Sequence, residues 1–441
     1  MLSLLAFGMI STFMTLIMMK RLSALVALIV VPITFAMLGG FATELGQMML
    51  LGVQEIAPTG VMLLFAILYF GMMIDAGLFD PLIVRIVHLV HSDPLRITIG
   101  TAILAFVVSL DGDGTTTYMV TVSAMLPVYR RLKLDVRKMA CIIIMAAAVT
   151  NILPWGGPTA RVATALKLNP AVLFVPLIPA LVACVCWVFF VAYIFGVHER
   201  QRLARLRMLN ATVLDEETTQ GEIAETDRTR DVSALRPRMF WFNLLLTALL
   251  MAALIFEVMP LPVLFMIAFA LALMLNYPSL TEQKRRLEAH AGNALAVVGL
   301  IFAAGIFMGI LVGTRMVDAM AGSVLGVLPP ELGPYMAPIT ALLSIPFTFL
   351  ISNDAFYFGM LPILAQTAQA YGISPEQIGR ASLIGQQVHL LSPLIPSTYL
   401  LVGLAKIEFG EHQQFTLKWA LGSSFVMLAS CLLFGIFPFS V

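Results

Sequence analysis

The chain has 441 residues, 60% of them hydrophobic and only 12% charged, with a formal net charge of +1. Soluble domains carry about 25% charged residues, so this sequence lacks the polar surface to coat a water-soluble particle of its size. A helical polytopic membrane protein fits instead, with the lipid bilayer as its solvent. No nucleic-acid partner and no permanently bound cofactor are expected.

A span needs about 20 apolar residues. The first run, 2–19, has no basic residue before it, lacks an A-x-A site and is followed by Lys20-Arg21. It reads as a retained span and not a cleaved signal. Further spans are expected over 22–41 and 57–79. Asp75 closes the third and reads as interfacial, as do Arg85, His88 and His91 in the amphipathic stretch "DPLIVRIVHLVHSDP".

The next apolar stretch, 95–130, is interrupted by "SLDGDGTTTYM". Each arm is short for a full crossing, so a re-entrant hairpin is expected, its loosened tip packed in protein or lining water. Spans over 138–166 and 170–196 follow, the first broken by "NILPWGGPTARVATAL". The four cysteines, Cys141, Cys184, Cys186 and Cys431, sit in apolar runs without zinc spacing and read as small core residues.

Residues 198–238 are polar, lack apolar periodicity, and read as a cytoplasmic linker. Beyond it come spans over 239–258, 261–277 and 293–313, then a second interrupted stretch, 332–370, broken at Ser352-Asn353-Asp354. A broken span over 381–405 and a last one over 415–439 complete the chain. Residues 1–197 and 239–441 thus hold the same order of elements: three spans, a hairpin, a broken span and one more span. Five spans is an odd number, so the halves sit upside down relative to each other, as two inverted-topology repeats. "AMLPV" and "GMLPI" end the two hairpins, and the two breaks share Leu153/Leu391, Pro158/Pro396 and Leu166/Leu404.

Placing the Lys20-Arg21 turn in the cytoplasm leaves only Arg161, Lys167, Arg315 and Arg380, among 26 Lys and Arg, away from that side. The expectation is a multi-pass protein of the cytoplasmic (inner) membrane with external N- and C-termini.

The core of the first knot, Asp111-Gly112-Asp113-Gly114-Thr115, matches the nucleophile loop of haloacid-dehalogenase-type phosphatases. That loop needs a soluble α/β domain, which the apolar arms exclude. A calcium loop starting at Ser109 would need a glutamate where Val120 stands. An intramembrane aspartyl protease would carry its aspartates on facing continuous helices, whereas Asp111 and Asp113 lie two apart in a glycine-broken segment. A transport site remains. Gly112 and Gly114 let backbone approach a ligand. Thr115 and Thr116 open a helix whose free N–H groups favour anions. Asp111 and Asp113 suit a cation or a proton, unless one merely caps the second arm.

In the second knot Ser352 and Asn353 offer neutral donors and acceptors, and Asp354 repeats the carboxylate. In the first broken span Asn151 and Thr159 flank a gap made by Pro154, Gly156, Gly157 and Pro158. Arg161 follows, either as an anion contact or snorkelling to the surface. In the second, Ser392, Ser397 and Thr398 flank the break. His389 there is either a proton relay or a histidine satisfied by a backbone carbonyl.

Two hairpins facing two broken helices resemble the ion transporter superfamily. Its sodium–dicarboxylate branch carries Ser-Asn-Thr tips, unlike Ser352-Asn353-Asp354 and an asparagine-free first tip. The four motifs "SLDGDGTTTYM", "NILPWGGPTARVATAL", "FLISNDAFYFGMLPIL" and "HLLSPLIPSTYLLVGL" resemble those of the citrate–metal ion:proton symporter (CitMHS) family, over nearly the whole chain. That resemblance implies proton-coupled uptake of citrate complexed with a divalent metal, by an elevator motion in a homodimer. The site it implies joins Ser109, Gly112, Gly114, Thr115, Thr116, Asn151, Gly156, Gly157, Thr159, Arg161, Ser352, Asn353, Ser392, Ser397 and Thr398 for the anion. Asp111, Asp113, Asp354 and His389 would serve metal or protons. The alternative is another di- or tricarboxylate, or an oxyanion, carried with protons or sodium on the same scaffold.

Overall fold

The computed structural model describes residues 2–19, 21–81, 85, 93–111, 114–210, 234–256, 258–327 and 329–441, and every regular element among them is helical. His88 and His91 lie outside the described residues. In the first half the helices are α1 Leu2–Met18, α2 Ala24–Leu38, α3 Leu45–Asp75, α4 Pro94–Val108, α5 Gly114–Arg131, α6 Val136–Thr150, α7 Gly157–Leu166, α8 Pro170–Phe174 and α9 Ile178–Asn210. The second half adds α10 Phe240–Ile255, α11 Leu261–Asn276, α12 Leu280–Gly313, α13 Met316–Leu325, α14 Met336–Leu350, α15 Leu361–Gln369, α16 Pro375–Ser382, α17 Gln386–His389, α18 Pro396–Ala405 and α19 Phe409–Leu433.

Among the described residues, five helical stretches are long and apolar enough to cross a membrane: Leu45–Asp75, Pro170–Arg205, Leu280–Gly313, Pro330–Leu350 and Phe409–Leu433. The helices α1, α2, α10 and α11 are apolar but shorter. Two helices start well before the apolar runs that announced them, α3 at Leu45 and α12 at Leu280. Hydropathy marks where a helix can meet lipid, while the hydrogen-bonded ladder continues through polar residues such as Gln283 and Glu288.

The helices α3 and α12 cross with their backbones in contact. A Cβ at Gly52 would lie 2.1 Å from the Gly305 carbonyl oxygen and 2.8 Å from the Gly309 Cα. Gly305, Gly309 and Gly313 recur every fourth residue on α12 and face Ile56, Gly52 and Met48 of α3. Such small-residue stripes replace the hydrophobic drive that lipid removes with backbone-to-backbone contact. At one end of the crossing Asp75 Oδ2 accepts from Arg286 at 3.1 Å and meets His290 Nε2 at 2.9 Å. Asp75 therefore serves as a clamp between the two helices.

Both interrupted stretches fold back on themselves. Thr101 of α4 and Tyr129 of α5 join hydroxyls at 3.2 Å, far from the tip, which sets the two arms antiparallel. In the second, Gly333 lies under the Tyr371 ring, bringing together the start and end of a segment whose tip is Ile351 to Asp354. Although Pro330–Leu350 is long enough to span, its helix ends where Ile351 turns extended.

The base of the first hairpin is pinned to α9. Asp93 caps α4 and accepts from Arg200 Nε at 2.7 Å, a bond that holds its carboxyl below the usual carboxylate range. The Lys138 ammonium lies 2.5 Å from Glu199, whose side chain is buried. Of the cysteines, Cys141, Cys184 and Cys431 are buried as expected. Cys186 is a correction, since it stands exposed on the outer face of α9. A helix facing lipid needs only an apolar residue there, which composition cannot distinguish from core.

Candidate functional site

The two helix breaks are built alike. Helices α7 and α18 each have ten residues and carry proline in their first turn. Each ends on a lysine in the left-handed region, Lys167 with φ 57° and Lys406 with φ 55°. In each break a threonine of the second helix reaches back over the gap. Thr159 Oγ1 donates to the Ile152 carbonyl at 2.7 Å, and Thr398 Oγ1 donates to the Leu390 carbonyl. These bonds satisfy carbonyls that an interrupted ladder would strand in a membrane interior. The turn at Gly156 is so tight that a Cβ would lie 2.0 Å from the Asn151 oxygen.

Each hairpin tip is tied to the broken helix that follows it. Thr150 Oγ1 donates to Ser109 Oγ at 2.8 Å, and the Trp155 indole N–H donates to the Leu110 carbonyl at 2.9 Å. Trp155 also stacks on Phe70 of α3 and meets Phe265 of α11 edge-on. On the other side Asn353 and Gln386 exchange amide hydrogen bonds, and Gln386 donates to Tyr357 Oη at 2.8 Å. His389 Nδ1 lies 2.6 Å from the Thr348 carbonyl, and since a carbonyl only accepts, Nδ1 carries the hydrogen. The carbonyl-satisfied form of His389 is thus the one adopted.

Cross-links between the halves complete the site. A cavity of about 50 Å³ is lined by Ser109, Gly114 and Thr117 of the first hairpin, Thr150 and Asn151 of the first break, and Ser397 of the second. Arg161 of α7 donates from Nε to Asp354 Oδ1 of the second hairpin at 2.6 Å, over 193 residues of sequence. The pair is mostly shielded, with side-chain exposures of 20% and 15%. Arg161 therefore does not snorkel. Its guanidinium folds over the start of its own helix, so that a Cβ at Gly157 would lie 2.8 Å from Nη1.

Of the expected residues, Ser109, Gly114, Asn151 and Ser397 line the cavity, and Arg161 and Asp354 meet as an ion pair. Thr116 is half-buried on the first turn of α5. Ser352 accepts from the Ala355 N–H at 3.1 Å, and Ser392 from the Leu394 N–H at 3.2 Å, so both hydroxyls stabilise turns. Gly112 and Asp113 lie outside the described residues, and Asp111 and Thr115 are placed by backbone only. Thr150, Trp155, Tyr357 and Gln386 were not singled out in the sequence. The signal for Trp155 was its position inside the Pro-Gly break, and for Gln386 a paired amide, Gln386-Gln387, in an apolar run.

The family model described as "Citrate transporter", CitMHS, matches residues 7–385. A protein of Bacillus subtilis (strain 168) named "Citrate transporter" is 58% identical over 439 residues, covering all of both chains. Another from that strain, named "Mg(2+)/citrate complex secondary transporter", is 48% identical over 442 residues, again covering both completely. Among solved structures, the Alcanivorax borkumensis YdaH transporter superposes with a TM-score of 0.55 at 15% identity, over 92% of this chain and 90% of its own. Neisseria gonorrhoeae MtrF gives 0.57 at 14% identity, over 92% and 86%. At such identities the two structures speak for the fold alone.

Proposed function

Because the chain belongs to the CitMHS citrate transporter family, we propose that it takes up citrate as a complex with a divalent metal ion, in symport with protons. Family membership makes it an integral membrane transporter and not an enzyme, so the phosphatase and protease readings of Asp111 and Asp113 fall. The metal, which the name of one relative gives as Mg2+, is cargo.

The observation that carries the proposal is a guanidinium and a carboxylate held together between the first helix break and the second hairpin tip, Arg161 and Asp354. Fully ionised citrate is a trianion, and a bound divalent cation leaves the complex near one negative charge. Such a ligand offers a free carboxylate to Arg161 and the α7 N-terminus, and a metal face to Asp354. Hydroxyls and amides of Ser109, Thr116, Asn151, Ser397 and Asn353 suit the remaining oxygens, with Gly112, Gly114 and Gly156 giving backbone access. Thr115 is assigned to the anion, while Thr159, Ser352, Ser392 and Thr398, whose hydroxyls bind backbone, belong to the supporting frame. Asp111, Asp113 and Asp354 are the groups assigned to metal or proton, while His389, satisfied by the Thr348 carbonyl, joins the frame.

The frame is proposed as two inverted repeats, 1–197 and 239–441, joined by a cytoplasmic linker over 198–238, with external termini in the cytoplasmic membrane. The matched breaks and the matched hairpin-to-break ties support it. In the elevator motion proposed by resemblance, the site-bearing helices would slide along the α3–α12 pair, each protomer of a homodimer acting on its own site. The ion pair of Lys167 on α7 with Glu55 on α3 would bridge the sliding surfaces.

The test is labelled citrate uptake into proteoliposomes with an imposed proton gradient, metal-free and then with magnesium, calcium, manganese, zinc or ferric ion. Uptake is expected to need a divalent metal and to stop when a protonophore collapses the gradient. No uptake with any metal sinks the proposal, and equal uptake without metal moves the aspartates to proton or sodium coupling.

Gly157→Ala is expected to lower uptake about tenfold or more while the protein remains folded, because small misplacements of a positioned group are costly. The new methyl and the Arg161 Nη1 cannot both occupy positions 2.8 Å apart. Wild-type uptake by this variant would remove Arg161 from the site.

A further inference from the structure

The geometry points to Asp354 as an internal stand-in for a substrate carboxylate, seated on Arg161 until a metal–citrate complex exchanges with it. This inference rests on the proposed function of the same site. It makes Asp354 the residue that imposes the metal requirement.

Asp354 stands just ahead of the helical turn Ala355–Met360, with helical backbone angles of φ −64° and ψ −43°. It makes no side-chain capping bond there. Ser352 does that work, accepting from the Ala355 N–H at 3.1 Å. The Asp354 carboxylate is instead carried across the pseudo-symmetric interface to Arg161 Nε, at 2.6 Å through Oδ1. It meets there a guanidinium that reaches back over Gly157, toward the positive end of the α7 dipole. A ligand carboxylate would choose that seat for the same reasons. With 15% of the Asp354 side chain exposed, the pair remains within reach of a ligand entering the site.

The consequence is a pairing rule for ligands. Bare citrate must evict Asp354 from Arg161 and then face the displaced carboxylate as a like charge. A bare divalent cation drawn to Asp354 faces Arg161. A metal–citrate complex meets neither penalty, because its free carboxylate replaces Asp354 on Arg161 while its metal neutralises the displaced Asp354. Binding of cation and anion is thereby coupled without any contact beyond this pair, as linkage between two ligands requires.

The experiment is equilibrium binding of citrate to the purified full chain, with and without saturating magnesium. Wild type, Asp354→Asn and Asp354→Glu are compared. In the wild type magnesium is expected to raise citrate affinity by roughly a hundredfold, toward the upper range of coupling between linked ligands. Asp354→Asn should bind metal-free citrate more tightly than the wild type does, and magnesium should then change its affinity little. Asp354→Glu keeps the charge and should keep the metal requirement. A wild-type magnesium ratio in the Asn variant, or metal-free binding no tighter than wild type, overturns the inference. Asp354→Ser repeats the neutral test should the Asn variant not be recovered folded. Failure of the wild type to bind citrate with any metal is a different result, and it removes the transport proposal itself.

Discussion

Replacing Arg161 by glutamine is expected to lower citrate uptake about a hundredfold or more, since the charge-assisted hydrogen bonds that a guanidinium would make to a ligand carboxylate, at about 1.5–3 kcal/mol each, would be lost. The amide cannot supply the planar charged fork that grips a carboxylate. Stability should fall as well, because Asp354, only 15% exposed, would lose its counter-charge. Breaking a fully buried pair costs about 3–5 kcal/mol. Partial exposure of both side chains places this loss below that range. Lysine at 161 should fall between wild type and glutamine, keeping the charge but losing the bidentate geometry. Uptake measured on protein shown to be monodisperse separates loss of function from loss of fold. Wild-type transport by the glutamine variant would end the assignment of Arg161.

The second large effect is expected at the helix crossing. Gly52→Ala places a methyl carbon 2.1 Å from the Gly305 carbonyl oxygen and 2.9 Å from the Gly309 nitrogen. Overpacking costs about 1–3 kcal/mol where side chains can yield, and occasionally more. Here the obstructing atoms are backbone and cannot rotate away, so α3 and α12 must separate and the cost belongs at or above that upper end. Gly46→Ala on the same helix meets nothing within 4 Å. It should leave the melting temperature unchanged or raise it, alanine being the better helix former by about 1 kcal/mol. Thermal unfolding of the two variants in detergent is the measurement. Equal melting temperatures would show that the crossing is not the rigid element described.

The two expectations differ in how far the sequence alone could have reached them. Arg161 is visible as a lone charge beside a Pro-Gly break, and the energetics of the membrane interior demand a partner for it. Which carboxylate answers was open, because Asp111, Asp113 and Asp354 all lay in polar knots. The choice of Asp354 is a property of the fold, which brings the second hairpin tip against Arg161 of α7. Gly52 carried no signal. A glycine in an apolar helix reads the same whether it faces lipid, a side chain or another backbone.

Composition and the spacing of apolar runs determined that this is a helical membrane protein. The placement of Gly, Pro and polar residues determined where its helices come undone, because a broken ladder in lipid must leave such a mark. Family motifs in the hairpins and breaks pointed to the citrate transporter family, whose model matches residues 7–385 and so takes in the first three of the four motifs. Only the tertiary structure decided that Gln386 pairs with Asn353, that Trp155 packs between the first hairpin and the α3–α11 aromatics, and that His389 is held by the Thr348 carbonyl. Each is a contact between segments distant in sequence. Local propensity and hydropathy describe a residue's own neighbourhood, and partners across the fold are set by how whole helices pack.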